Sequence, residues 1–239
     1  MPPRNLLHAI ALGALTTLAH PFAFAARATS AAASSFGRTA RRFIDWRGSA
    51  ARSRLETAQW TPELLKRLEW RRFEELCAAY FEALGFRADL AGAGADGGVA
   101  INLYEQGSKN ASIIVQCRPW TAHHVGIKPV RELRGAMTSG NVGEAVLVTS
   151  GKFTKEARDF AGKEGVRLID GADLVAKLAA LVPEKALALY KLATQGDFLT
   201  PTCPSCAIKM ISRKSTAHGR PYWGCRNYPA CKQTFFEAL

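Results

Sequence analysis

From Thr61 to Gly85 the apolar residues Leu65, Leu68, Phe73, Leu76, Tyr80, Phe81 and Leu84 recur at three- and four-residue steps, which predicts one amphipathic helix. Thr61-Pro62 supplies its cap and first turn, and Gly85 its stop. The period then falls to two. Phe86 to Leu90 reads as a short strand, and a glycine-dense loop follows at Gly92, Gly94, Gly97 and Gly98. Val99, Ile101 and Leu103 alternate with Ala100, Asn102 and Tyr104 as a half-buried strand. After a polar turn from Glu105 to Asn110, Ile113-Ile114-Val115 runs into Gln116-Cys117-Arg118. This is the pattern of a central strand that delivers polar side chains at its C-terminal end.

The helical period returns over Ile127 to Thr138, with Val130, Leu133 and Met137 on one side. Ala145 to Thr149 is a buried strand, a helix runs through Ala157 and Ala161, and Gly165 to Gly171 gives a last strand and turn. Ala172 to Leu181 closes the domain, and Pro183 to Thr194 forms one further helix before a linker near Gln195 to Pro201. Helix, antiparallel hairpin, then strand-helix-strand-helix fits an α/β fold with a mixed central sheet flanked by helices over 61–182. Residues 183–200 are helix and linker, and 201–239 a small separate module.

Upstream, Leu6 to Ala26 is an apolar run of roughly the ~20 residues that a bilayer span needs. His8, Thr16, Thr17, His20 and Pro21 dilute it, and Ala23 to Ala26 resembles a signal-peptidase site. A membrane anchor, a cleaved signal and a transit peptide all fit residues 1–26. Arg4 alone precedes the run, whereas Arg27, Arg38, Arg41, Arg42, Arg47, Arg52 and Arg54 follow it. That asymmetry favours a single-pass anchor with the bulk of the chain on the cytoplasmic side. Residues 27–60, rich in Ala, Ser and Arg, read as a solvated basic linker.

Composition adds a partner class. The 239 residues are 48% hydrophobic and 22% charged, which is globular, and the net charge of +12 points to polyanions such as nucleic acid or anionic lipid. Two of the six cysteines, Cys77 and Cys117, fall in the α/β segment, where Cys77 reads as core. Cys203, Cys206, Cys225 and Cys231 form C-x2-C and C-x5-C pairs, eighteen residues apart. Four thiolates make a closed tetrahedral Zn²⁺ site, so the metal is structural; two disulfides are the alternative in an exported protein. The basic residues here are Lys209, Arg213, Lys214, Arg220, Arg226 and Lys232, against the single acid Glu237, with Tyr222, Trp223, Tyr228, Phe235 and Phe236 among them. Exposed rings stack on bases, and Tyr222 and Tyr228 are the expected ones. His123-His124 reads as plain loop, because neither has a helical partner.

Asp96-Gly97-Gly98-Val99 followed by Gln116-Cys117-Arg118 resembles the catalytic core of the Mrr-like restriction endonucleases, within the PD-(D/E)xK nucleases. Val130-Arg131-Glu132-Leu133-Arg134-Gly135-Ala136 and Thr149-Ser150-Gly151-Lys152-Phe153-Thr154 match further runs of that family. The resemblance implies a restriction-endonuclease-like fold, Mg²⁺-dependent hydrolysis of DNA and duplex DNA as partner. It also implies a homodimer, although no residue here specifies one. Two chemical positions differ: Ala100 stands where the metal-binding aspartate is expected and Arg118 where the lysine is. Alanine offers no oxygen to Mg²⁺, while arginine keeps a cation beside the phosphate. In the active reading, Gln116 is the second metal-site residue and Arg118 the transition-state cation. Asp96, or Glu75 directly after the family's helical Phe73-Glu74 pair, then compensates for Ala100. The alternatives are an inactive nuclease-derived module that binds DNA at the membrane, and a scaffold whose basic arm binds lipid.

Cys203-Pro204, Tyr222 to Pro229 and Cys231-Lys232 resemble the C4 zinc ribbon of type IA topoisomerases. That resemblance implies single-stranded DNA binding, with Arg220, Tyr222, Arg226, Tyr228 and Lys232 as the contact residues, and does not imply topoisomerase chemistry.

Overall fold

The computed structural model describes residues 59–93, 99–119, 123–215 and 219–236. The anchor-or-signal segment, the basic linker up to residue 58 and the glycine loop over 94–98, with Asp96, lie outside the described residues. Among those described, no helix is long and apolar enough to cross a membrane.

The helix expected from Thr61 to Gly85 is two helices, α1 (Pro62–Arg67) and α2 (Trp70–Ala83). Thr61 caps the first through its side chain, as its sequence position requires. Leu68 then turns extended (ψ 129), as does Glu69 (ψ 155), whose carboxylate accepts from Arg71 N at 3.1 Å and caps α2. The break is held from outside the helix. Glu69 N–H donates to Phe198 O at 2.9 Å, a bond that a continuous helix would have made to its own preceding turn.

Five strands follow in the order β1-β2-β3-β4-β5: β1 (Arg87–Ala93), β2 (Val99–Tyr104), β3 (Ile113–Arg118), β4 (Glu144–Thr149) and β5 (Val166–Ile169). The first three pair antiparallel and the last three parallel, so the sheet is mixed. Strand β1 continues three residues beyond the expected end at Leu90, with a register shift between Leu90 and Ala93. Crossover helices α3 (Ile127–Ser139) and α4 (Lys155–Glu164) lie on one face, where Val130, Leu133, Ala157 and Ala161 pack against Ala145, Leu147 and Val166. Two crossovers of the same hand advancing in one direction land on the same side of a sheet.

Ile101, Leu103, Ile113, Val115 and Cys117 point to the other face and are buried beneath α2. Cys77 on α2 hydrogen-bonds Cys117, and that contact, together with burial, pushes the Cys117 thiol well above its ordinary pKa. Cys117 is therefore a neutral core thiol, and Cys77 is buried beside it, as expected for a core residue. Helix α5 (Gly171–Ala179) starts against the end of β4, and α6 (Pro183–Thr194) packs on α2. A Cβ on Gly171 would lie 2.4 Å from Ser150 O, so only glycine admits this approach.

The C-terminal module is a three-stranded antiparallel sheet of β6 (Ile211–Lys214), β7 (Pro221–Gly224) and β8 (Thr234–Phe236), with β7 central. Its buried core among the described residues is Cys203, Met210 and Cys225, with Ile208, Trp223 and Phe235 packed around them. So few apolar groups cannot offset chain entropy alone. The module and the α/β domain belong to one compact unit running from Trp60 onward.

Candidate active site and metal centre

Alternation along β3 sends Ile113, Val115 and Cys117 to the α2 face and Ile114, Gln116 and Arg118 to the α3 face. Gln116 and Arg118 therefore share a side. Antiparallel register sets Ala100 of β2 directly opposite Gln116, and parallel register sets Leu147 of β4 on its other flank. Residues directly opposed in a ladder project to the same face, so Ala100, Gln116 and Arg118 converge as the resemblance requires. At the position expected to carry an acid there is a methyl group.

Gln116 Oε1 is buried and has no hydrogen-bond partner among the described residues. Leaving an amide oxygen unsatisfied costs about 1–3 kcal/mol, so this acceptor is poised for a ligand. Arg118 is a partly buried cation whose Nη2 lies 3.6 Å from Glu132 of α3. Glu132 also faces the exposed Lys128 Nζ at 3.8 Å. This carboxylate was not singled out by the sequence, although it stands within the Val130 to Ala136 run. An acid in an amphipathic helix reads as solvated until the strand beneath it is placed.

Glu75 projects from α2, on the opposite side of the sheet from Gln116 and Arg118, and pairs with Arg71 at 3.4 Å and Arg72 at 3.8 Å. Its neighbour Glu74 is buried, 2% exposed, and its charge raises the Cys117 pKa further. Asp96 lies outside the described residues. Among those described, one amide oxygen beside an arginine does not make the hard-oxygen octahedron that Mg²⁺ demands.

The four C-terminal cysteines fit a metal. Their sulfurs all lie within 4.8 Å of one another, with Cys203 and Cys231 at 3.8 Å. Four sulfurs ~2.3 Å from a tetrahedral Zn²⁺ are about 3.8 Å apart. A disulfide needs about 2.05 Å, and all six cysteines are free, which overturns the two-disulfide alternative. When bound, the ion would tie the 203–206 turn to the 225–231 turn beneath the sheet.

Beside this cluster, Arg213, Tyr222, Tyr228, Lys232, Gln233 and Thr234 line a pocket of about 240 Å³. Tyr228 is 61% exposed, as expected, while Tyr222 is half-buried. Arg213 lies 5.5 Å from the Tyr228 ring centre, in cation–π range. Gly224 leaves the room for it, since a Cβ there would meet Arg213 Cδ and Nε at 3.0 Å. Arg220, Arg226 and Lys232 are exposed at the surface of the same module. Lys209, by contrast, is spent internally on Glu69 and Thr200 O.

Residues 65–178 match the family model Mrr_cat, described as a restriction endonuclease. Over 112 residues the chain is 34% identical to the type IV methyl-directed restriction enzyme EcoKMrr of Escherichia coli (strain K12). The match covers 44% of this chain and 36% of that enzyme, so the chain spans about a third of its relative's length. Among solved structures, the chain is similar to the DNA modification-dependent restriction endonuclease AspBHI, with 18% identity, 82% of this chain, 50% of that one and a TM-score of 0.41. It is also similar to the MspJI restriction endonuclease in complex with a 27-mer oligonucleotide, with 17% identity, 76% and 42% covered and a TM-score of 0.34. For apo EndoMS the values are 19%, 42%, 44% and 0.35. The segment 65–178 thus matches the restriction-endonuclease model Mrr_cat and is similar over most of that span to part of a methyl-directed restriction enzyme.

Proposed function

We propose that this chain binds DNA through a nuclease fold whose metal site has lost its principal acid, and does not cut DNA efficiently. Duplex lies at the Gln116–Arg118 face and single strand at the cysteine-bearing ribbon. The carrying observation is the register that puts Ala100 opposite Gln116, because a methyl group there offers no oxygen to a cation. Arg118 keeps a positive charge for a backbone phosphate, and the ribbon adds Arg220, Arg226 and Lys232 with the exposed Tyr228 ring. Zn²⁺ on the four thiolates supplies structure and no chemistry.

The test is plasmid incubation with Mg²⁺ or Mn²⁺ beside a binding assay. The expected outcome is retention of DNA without nicking by the native protein, and the appearance of nicking in Ala100→Asp with Arg118→Lys. Metal-dependent cutting by the native protein would favour a second reading, a working endonuclease. In that reading Gln116 Oε1, buried without a partner among the described residues, and Asp96 of the glycine loop share the ion. Loss of nicking in Asp96→Asn would then identify the compensating acid.

A further inference from the structure

The nuclease-like domain and the ribbon are joined by more than chain. The Glu69 carboxylate, 7% exposed as a residue, accepts from Thr202 N at 3.2 Å, Thr202 Oγ1 at 3.0 Å and Lys209 Nζ at 3.2 Å. Trp70 Nε1 donates to Thr202 O at 2.7 Å. Thr202 immediately precedes the metal-ligand candidate Cys203, and Lys209 immediately precedes the buried Met210. One buried acid thus caps α2 and grips the first cysteine turn of the ribbon. Charged hydrogen bonds in a dry setting are among the stronger protein contacts, so this latch fixes an orientation.

Topology says which end of the domain is latched. The start of β1 pairs with the end of β2, at Arg87 and Tyr104, and the end of β2 pairs with the start of β3, at Leu103 and Ile113. The C-terminus of α2, which leads into β1, is therefore at the end of the sheet where β3 begins. Over its 14 residues α2 runs about 21 Å, which carries its N-terminus to the end where β3 finishes. The contact of Cys77 with Cys117 agrees with that direction. Glu69 and the ribbon it holds thus sit at the same end of the sheet as Gln116 and Arg118, with α2 itself packed on the opposite face.

The geometry points to a composite binding site for DNA at a junction between duplex and single strand, such as a fork or a flap. The Gln116–Arg118 end takes the duplex, and the Arg213, Tyr228 and Lys232 pocket takes the unpaired strand leaving it. This rests on the proposed function and adds the form of DNA that is preferred. A rigid latch is what turns two modest sites into one: with the second site already positioned, its engagement becomes intramolecular, a gain of ~10²–10⁴ in affinity without new contacts.

The test measures binding of the full chain to a labelled duplex, to a labelled single strand and to a fork made from both, with zinc content recorded for every preparation. The fork is expected to bind about a hundredfold more tightly than the better of its two parts. Equal affinity for fork and better part overturns the composite site. No binding to either part overturns the DNA-binding reading itself, and the junction with it. Glu69→Gln combined with Thr202→Val is expected to keep both component affinities within about twofold while reducing the fork advantage at least tenfold. Should that pair lose zinc or fold, Trp70→Phe removes a single latch bond and is expected to lower the fork advantage alone. An undiminished advantage in a folded latch variant overturns the role of the latch.

Discussion

The α/β domain and the ribbon solve the same problem in opposite ways. The domain spreads its stability over two sheet faces and six helices, each apolar side chain worth about 1.5–3 kcal/mol on burial. The ribbon has three buried apolar side chains among its described residues and stakes its fold on four converging sulfurs. Their chemistry diverges too. The small module holds four sulfurs that could bind an ion, and the large one has a methyl group where the resemblance expects a donor. A scaffold with a large core tolerates loss of a catalytic ligand, whereas a scaffold whose core is the metal cannot lose one.

The sharpest way to break this contrast is to remove a ribbon ligand. Cys225→Ser, or chelation, is expected to unfold residues 201–239 while the α/β domain survives, since structural Zn²⁺ supplies ~10–16 kcal/mol of linked folding free energy. Zinc content with limited proteolysis checks this, and an intact metal-free ribbon would refute it. Next in size is Gly171→Ala. Its methyl group would press on the Ser150 carbonyl at 2.4 Å, and thermal unfolding should show a loss of about 1–3 kcal/mol confined to the α/β domain.

Asp170 gives a smaller and pH-dependent effect. Burial alone would raise its pKa, but the Asp173 and Ala172 amides it caps and the Arg158 guanidinium at 2.7 Å outweigh burial and hold it below the ordinary value. A depressed carboxyl stabilises the fold above its unfolded pKa, near 3.9, and that contribution disappears as pH falls through the lower folded value. Asp170→Ala should therefore cost about 1 kcal/mol at neutral pH and nothing in strong acid, as read from denaturant midpoints. The smallest change is Glu132→Gln. Stability should move by no more than ~1 kcal/mol, as for a partly exposed pair, while the salt dependence of duplex binding steepens by about one as the neutralising carboxylate beside Arg118 is lost.

Strands β2 and β3 were legible because alternation fixes their faces, and the resemblance to the Mrr-like nucleases brought Ala100 and Gln116 into one site, which the register then sets side by side. Helix α6 was legible in full, and the linker role given to the residues after it was not the whole story, since Phe198 and Thr202 dock on Glu69. The division of the first helix was not legible for the same reason: its cause, the bond from Glu69 N–H to Phe198 O, lies far along the chain. A trace existed, since Leu68 and Phe73 stand five apart where neighbouring steps are three or four. Glu132 and Arg213 were hidden because each looks like a solvated surface charge until a strand or a glycine is placed beneath it.

Strand β1 has one more consequence. It is the outermost strand of its sheet, and an outer strand offers a ready row of donors and acceptors to any second copy. The shifted register between Leu90 and Ala93 interrupts that row. Arg87 adds charge, lying 4.0 Å over the Tyr104 ring and 3.6 Å from Asp89. Pairing of a second copy along β1 is thereby discouraged, while β5 remains the other edge of the sheet.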